Sequence, residues 1–261
     1  IMSACERAFL CLFLLSVSQT LPGVSGGKIL VWPADFSHWI NIKAIIDELI
    51  ARGHNVTVVT HSATPSVKTA QSPGYNVDII EVPYTKQDVI DHIVLMYRYL
   101  MYEIPNDNMI QVFLKTKEVI DRFTRKNQIM CRELFARKDL LEKWKEFDVV
   151  LTDPMYMCRA LLPVKLNLPF VISLRFSFGN TLERLCGQLP TPASYVPGVS
   201  LGFPAKMDFP QRVKNLLFII FQDLLMKYLT SVKWDNFHTQ VMGKLRSQYP
   251  IYLASRKWFK M

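Results

Sequence analysis

His38 and Asp153 are the two residues of this 261-residue chain whose types and positions best suit them to catalysis. Each closely follows an apolar segment that predicts a buried β-strand. A neutral imidazole can accept a proton from a hydroxyl group, and a carboxylate beside its other nitrogen stabilises the imidazolium that forms. The pair therefore predicts general base catalysis. The residues alone leave two alternatives open, a structural hydrogen-bonding role for His38 and a turn-forming or helix-capping role for Asp153.

The residues around His38 predict half of a doubly wound α/β domain. Lys28–Trp32 predicts a strand, which is followed by a turn and by a helix from Ser37 to about Arg52. Gly53 then ends the helix, and Val56–Thr60 predicts the next strand. His38 thus lies at the carboxyl end of the first strand, where such sheets bind ligands. The positive end of the helix dipole favours its neutral form.

Strands and helices alternate through the rest of the chain, which predicts an α/β fold with a Rossmann-like parallel sheet covered on both faces. Because parallel strands end at the same rim, His38 and Asp153 can meet there. The same rim offers Ser173, Arg175 and Ser177. Further strands are predicted at Val77–Val82, Phe147–Thr152 and Pro169–Leu174, and further helices at Lys86–Met101, Asn106–Phe135, Asp139–Phe147, Met155–Leu166 (with a distortion at Pro163) and Gln211–Trp234.

The helix predicted at 211–234 is unusually apolar, and two interpretations stay open for it. One is burial against the sheet. The other is a membrane interface, with Arg212, Lys214, Lys227 and Lys233 at the lipid headgroups. Gln222 and Asp223 in its middle argue against a membrane span.

The amino terminus predicts a secretory signal peptide over residues 1–25, cleaved between Ser25 and Gly26. Secretory entry makes Asn55, in the sequon Asn55-Val56-Thr57, a candidate for glycosylation. The signal peptide takes two cysteines with it, and the three that remain form an odd number without close spacing. Neither a disulfide framework nor a zinc site is predicted. The cysteines that remain are Cys131, Cys158 and Cys186.

The other histidines predict no metal site or second base. His54 and His61 are interpreted as a turn residue and a strand end, and His92 and His238 as incidental residues on helices. No spacing among them is typical of a metal site.

Composition and missing motifs argue against several classes of function. The net charge of +9 comes largely from residues 115–145, where basic and acidic side chains alternate as on solvated helix faces. No nucleic-acid-binding motif accompanies that charge, and attraction to acidic lipids suits it better. The chain lacks G-x-G-x-x-G after its first strand, a P-loop and G-x-S-x-G, which disfavours nicotinamide enzymes, phosphate-loop enzymes and α/β-hydrolases.

Several dispersed motifs together resemble the amino-terminal half of a vertebrate UDP-glucuronosyltransferase. They occur in the family's order and span about residues 26–245. Two further segments, Leu182–Gly187 and Arg212–Asn215, fit the second subfamily best. The motifs are Lys28–Pro33, Ser37–Trp39, Arg52–Val58, Phe147–Val149, Asp153-Pro154 and Ser194–Pro197.

The resemblance implies a GT-B fold, in which two Rossmann-like domains face each other across a cleft. The amino-terminal domain of this fold binds a lipophilic acceptor, and the other domain binds the co-substrate UDP-glucuronic acid; no cofactor or metal is implied. His38 is then expected to be the general base and Asp153 its partner. Trp39, Phe36 and Phe178 are expected to line the acceptor pocket.

The resemblance also sets expectations for the whole chain. These are a signal peptide over 1–25, an acceptor-binding domain over 26–245 and a tail outside the family over 246–261. The donor domain is expected to be missing, so a UDP-sugar would bind only with a donor domain present and the chain alone would be inactive. The expected location is the lumen of the endoplasmic reticulum, in association with its membrane.

Two other functions stay open at this point. One is a non-catalytic partner that regulates full-length transferases in homo- or hetero-oligomers. The other is a lipophile-binding module.

Overall fold

Five parallel strands form the central sheet, in the spatial order β3-β2-β1-β4-β5. They are β1 (Lys28–Trp32), β2 (Asn55–His61), β3 (Asn76–Ile80), β4 (Val149–Thr152) and β5 (Phe170–Ile172). The fold class predicted from the sequence is therefore confirmed. The computed structural model describes residues 26–68, 74–103, 106–155, 157–175, 184, 189–198 and 201–243.

Six α-helices accompany the strands in the described ranges. They are α1 (Ser37–Ala51), α2 (Lys86–Arg98), α3 (Met109–Ala136), α4 (Lys138–Trp144), α5 (Leu161–Leu166) and α6 (Phe209–Met242). A π-helical turn at Tyr99–Glu103 continues α2, and a 3₁₀ turn at Met157–Ala160 precedes α5.

The differences from the predicted helix boundaries have local causes. Helix α3 begins later than expected because Asn108 caps it, accepting the backbone N–H groups of Ile110 and Gln111. The single helix expected at 155–166 is divided, and α5 restarts at Leu161. This division puts Pro163 in a first turn, where its missing N–H is tolerated.

The sheet has its topological switch point between β1 and β4. The chain runs outward from β1 through β2 to β3, and then returns to the other side of β1 with β4. Trp32, the last residue of β1, is in register with Thr152, the last residue of β4. Segments that leave these two strands therefore begin side by side, at the place where ligands bind in open α/β sheets.

The two faces of the sheet belong to separate hydrophobic cores. Leu30 and Trp32 of β1 point into one core with α3, α4 and α5. Ile29 and Val31 point into the other, which α1 covers with Ile42 and Ile46. This alternation within a continuous apolar run is what a strand buried on both faces requires.

A disulfide joins Cys131 on α3 to Cys158 in the 3₁₀ turn. Both cysteines are fully buried, 27 residues apart in sequence. The expectation of no readable disulfide is thus wrong, since two of the three remaining cysteines pair across the core. Closing a loop of this length stabilises a fold by about 3–4 kcal/mol, through restriction of the unfolded chain.

The amino-terminal half of α6 shows an apolar stripe to solvent. Phe209, Leu217, Phe221 and Leu224 are each at least 60 % exposed. The interpretation of this half as a helix buried against the sheet is therefore wrong, while Trp234 and Phe237 in the other half enter the main core. Among the described residues, no helix is both long and apolar enough to cross a membrane.

Candidate active site

His38 is held at the start of α1 by a sharply bent turn. Phe36, two residues before it, has a φ of 60° and ψ of -130°, a conformation that non-glycine residues rarely adopt. The backbone N–H of Phe36 donates to Oγ of Ser66 at 2.6 Å, and its carbonyl accepts the N–H of Ile40 at 3.3 Å. The loop after β2 therefore fixes the turn that directs His38 across the switch point.

His38 and Asp153 meet across that switch point. Nδ1 of His38 lies 2.6 Å from Oδ2 of Asp153, and the two side chains are only 12 % and 2 % exposed. The other carboxylate oxygen of Asp153 accepts the backbone N–H of Met155 at 2.9 Å. Both oxygens of the carboxylate are thus engaged, which fixes its orientation toward the imidazole.

This geometry sets the tautomer of His38. When Asp153 is ionised it can only accept, so the proton of the neutral imidazole must lie on Nδ1. Nε2 then carries the lone pair and can take a proton, while Asp153 stabilises the cation that forms. The pair can therefore act as a general base toward a hydroxyl group placed at Nε2.

A second histidine–carboxylate pair lies beside the first and was missed by the sequence analysis. Nε2 of His61 is 3.4 Å from Oδ2 of Asp35, whose Oδ1 accepts the hydroxyl of Thr64 at 2.6 Å. Burial alone would raise the pKa of Asp35, but His61, Thr64 and the positive charge of Arg159 outweigh it and lower that pKa. Besides Asp153, which follows β4, Asp35 is therefore a second buried carboxylate at this rim, and it follows β1.

His38 of the first pair and both residues of the second line a cavity of about 850 Å³ at the rim of the sheet. Its volume lies in the range of small-molecule sites. Helices α2 and α3 each contribute one face, with residues at positions i, i+3, i+4 and i+7. The lining residues are Ala34, Asp35, Phe36, Ser37, His38, His61, Tyr84, Val89, His92, Ile93, Met96, Tyr97, Phe123, Lys126, Asn127, Met130, Met155 and Arg175.

Some polar groups in this lining are partly desolvated. The ring of His92 stacks on Phe123 at 6.0 Å, and burial together with the charges of Lys126 and Arg122 lowers the pKa of His92. Burial and the charge of Asp35 raise the pKa of Tyr84, which stays a neutral hydroxyl. The surface of the cavity is mostly apolar, and His92 and Tyr84 place polar atoms within it.

The aromatic residues predicted to line the pocket lie in different places in the structure. Phe36 lines the cavity. Trp39 does not line it; it packs on the core under α1 and makes an edge contact with Tyr75 at 6.2 Å. The pocket role expected of Trp39 does not fit this placement. Phe178 and Ser177 lie outside the described residues.

The structure also places the polar residues that the sequence singled out at the rim and in turns. Arg175 lines the cavity, whereas Ser173 donates its backbone N–H to Thr152. Asn55 is exposed at the start of β2, on the rim opposite the cavity. Its glycosylation stays a prediction. His54 accepts the backbone N–H of Gly27 at 2.9 Å, as suits a turn residue.

His61 ends β2, as the sequence predicted, but the interpretation of His92 as an incidental residue needs correction. His61 and His92 both line the cavity. A signal for His61 existed, because it ends β2 at the same rim as His38, and Asp35 follows β1 much as Asp153 follows β4. No comparable signal pointed to His92, whose position depends on how α2 crosses the sheet. Within the described ranges no three acidic, histidine or cysteine side chains could hold a metal ion.

Solved structures with a similar arrangement are distant glycosyltransferases. Glycyrrhiza uralensis UGT73P12, complexed with glycyrrhetinic acid 3-O-monoglucuronide, is 12% identical and has a TM-score of 0.34, with 85% of this chain and 48% of that chain covered. Phytolacca americana UGT2, complexed with UDP-2fluoro-glucose and pterostilbene, is 12% identical at a TM-score of 0.38, with 77% and 46% covered. Both similarities are too remote to bear on function.

Sequence comparison is more informative. Mouse UDP-glucuronosyltransferase 2B17 is 34% identical over 89% of this chain and 44% of its own length. The human protein of that name is 34% identical over 94% of this chain and 47% of its own length. Rabbit UDP-glucuronosyltransferase 2C1 is 34% identical over 86% of this chain and 45% of its own length. The chain thus spans about half the length of these relatives. A family model described as UDP-glucoronosyl and UDP-glucosyl transferase matches residues 27–259. This match includes residues 246–259, where the sequence analysis expected a tail outside the family. The chain belongs to this family of UDP-sugar transferases.

Proposed function

We propose that this chain is the acceptor-binding, base-bearing half of an enzyme that transfers glucuronic acid from UDP-glucuronic acid to hydroxyl groups of small lipophilic molecules. The observation that carries the proposal is the contact of 2.6 Å between Asp153 and His38, which lines a largely apolar cavity. Family membership supports the class of reaction. The GT-B architecture, with a second domain that binds UDP-glucuronic acid, is part of the proposal.

The proposed reaction uses Nε2 of His38. An acceptor hydroxyl in the cavity gives its proton to Nε2, while Nδ1 stays hydrogen-bonded to Asp153. The acceptor oxygen forms a bond to the anomeric carbon of the sugar as the bond from that carbon to the phosphate oxygen of UDP breaks. UDP leaves with the bonding electrons, and the configuration at the anomeric carbon inverts.

The proposed location is the lumen of the endoplasmic reticulum. The disulfide between Cys131 and Cys158 supports it, because such bonds persist in oxidising compartments. The signal peptide expected over residues 1–25 supports it as well.

A chimera tests the proposed function. This chain is joined to the carboxyl-terminal half of mouse UDP-glucuronosyltransferase 2B17, and transfer from UDP-glucuronic acid to a hydroxybiphenyl is followed by mass spectrometry. We expect turnover by the chimera and little or none by either half alone. Turnover by this chain alone would contradict the proposal that a separate domain must bind UDP-glucuronic acid. A chimera that binds the hydroxybiphenyl and UDP-glucuronic acid without transfer would favour a lipophile-binding module.

We further propose that the apolar stripe of α6 lies in the membrane interface. Its exposed apolar residues follow one another at helical spacing from Phe209 to Leu224, so they form one continuous face. Arg212 and Lys214 are exposed on the same half of the helix and suit acidic headgroups. The stripe is an arrangement typical of helices that lie on membranes rather than cross them.

Flotation with liposomes that contain acidic lipid tests this placement. We expect the chain to float with the liposomes, and the double variant Leu217→Glu/Phe221→Glu to lose most of that binding. The matched control is Ile110→Glu/Leu114→Glu, an equally spaced and exposed pair on α3. Equal flotation of both variants would contradict the proposal. A dimer in sedimentation that only the α6 variant abolishes would assign the stripe to association between transferases instead.

A further inference from the structure

Lys126 places a cation inside the cavity. It lies on the face of α3 that lines the cavity, between Phe123 and Met130. Its ammonium group is 5.8 Å from the centroid of the Tyr84 ring and donates a hydrogen bond to the backbone carbonyl of Asp88. An ammonium group has three donors, and this protein carbonyl engages one of them.

The charge of Lys126 has no carboxylate partner among the described residues. Asp88, one of two acidic residues that raise the pKa of Lys126, uses its carboxylate to accept the N–H and hydroxyl of Thr85 at 2.8 and 2.7 Å. Burial lowers the pKa of Lys126 despite the opposing effect of Asp88 and Asp91. A part-buried cation without a counter-ion is costly, and an anionic ligand group would remove that cost.

Strand order places this cation away from the base. Lys126 lies over Tyr84, which follows β3, and Tyr84 contacts His61 at the end of β2 with ring centroids 5.8 Å apart. His38 follows β1, so two strand spacings separate it from Tyr84. Neighbouring strands lie 4.7–4.9 Å apart, which makes the separation about 10 Å.

We propose that Lys126 is a specificity-determining residue that binds a carboxylate or sulfate group at the far end of the acceptor. The preferred acceptors are then rigid lipophilic molecules with a hydroxyl at one end and an anionic group about 10 Å away. The hydroxyl end rests on the proposed function, whereas the anionic end depends only on binding. The other lining cation, Arg175, lies at the opposite side beyond β5 and is exposed to solvent.

The test uses two biphenyls that differ only in charge. One carries a hydroxyl at one para position and a carboxylate at the other, and its counterpart lacks the carboxylate. Titration calorimetry on the full chain gives both dissociation constants. We expect the acid to bind about 10- to 100-fold more tightly than the neutral phenol, as a charge-assisted hydrogen bond provides. Lys126→Met should abolish this preference and leave the affinity for the neutral phenol unchanged.

Two variants separate the specific role of Lys126 from a general effect of charge. Lys126→Arg should keep most of the preference, and Arg175→Met should keep all of it. The proposal is overturned if the unaltered chain shows no preference, if Lys126→Met retains it, or if Arg175→Met removes it. Transfer by the chimera is scored separately, so a charge preference without any transfer would reject the proposed function and support this inference.

Discussion

Replacing His38 by alanine should lower kcat of the chimera by about 10²- to 10⁴-fold, the usual contribution of a positioned general base. The substitution removes Nε2, the atom that takes the acceptor proton, but it leaves the apolar walls of the cavity in place. The dissociation constant of a neutral hydroxybiphenyl should therefore change little. Initial rates with UDP-glucuronic acid, together with calorimetry of acceptor binding, measure the two effects separately.

His54→Asn is the matched control for this experiment. His54 sits on the opposite rim and accepts the N–H of Gly27, a bond that the asparagine carbonyl can replace. Its rate should stay within about twofold of the unaltered chimera, because surface substitutions away from a site have small effects. Full activity in His38→Ala would remove His38 from the mechanism.

The positions of the strands were predictable because each is a short apolar run with a clear end. Lys28–Trp32 was predicted with the bounds that the structure shows. Parallel strands end at one rim, so the predicted topology allowed His38 and Asp153 to meet, and the family resemblance implied the pairing that the structure shows. The local pattern was sufficient for the strands themselves, because each strand needs only its own apolar run and its end to be recognised.

The walls of the cavity could not be predicted in the same way. Trp39 follows His38 directly, but consecutive helical residues point about 100° apart, and Trp39 faces the core instead. His92 and Lys126 reach the cavity because α2 and α3 cross above the sheet at particular angles. Such angles depend on side-chain packing between helices, which no periodicity within one helix specifies. The same holds for the bond between Cys131 and Cys158, which needs α3 to lie beside the segment after β4.

Asp153→Asn should be nearly as damaging as the loss of His38, although it changes a single oxygen to nitrogen. The amide oxygen can still accept the N–H of Met155, so the NH₂ group of the asparagine is left facing Nδ1 of His38. Nδ1 of His38 must then accept rather than donate, and the imidazole hydrogen moves to Nε2. A histidine in this tautomer cannot take the acceptor proton. We expect kcat to fall about 10³- to 10⁴-fold, by analogy with the same change in a serine protease triad.

A double-mutant cycle separates this tautomer effect from a structural one. If Asp153 acts through His38, then adding Asp153→Asn to His38→Ala should cause almost no further loss of rate, because groups that act as a unit are not additive. Asp153→Ala is the structural comparison. It removes the acceptor of the part-buried N–H of Met155 and should lower the free energy of unfolding by about 1–3 kcal/mol, whereas Asp153→Asn should cost less. Initial rates of the four proteins in the cycle check the first statement, and urea unfolding of the unaltered protein, Asp153→Asn and Asp153→Ala checks the second. Additive losses of rate in the cycle would show that Asp153 contributes to the rate independently of its hydrogen bond to His38.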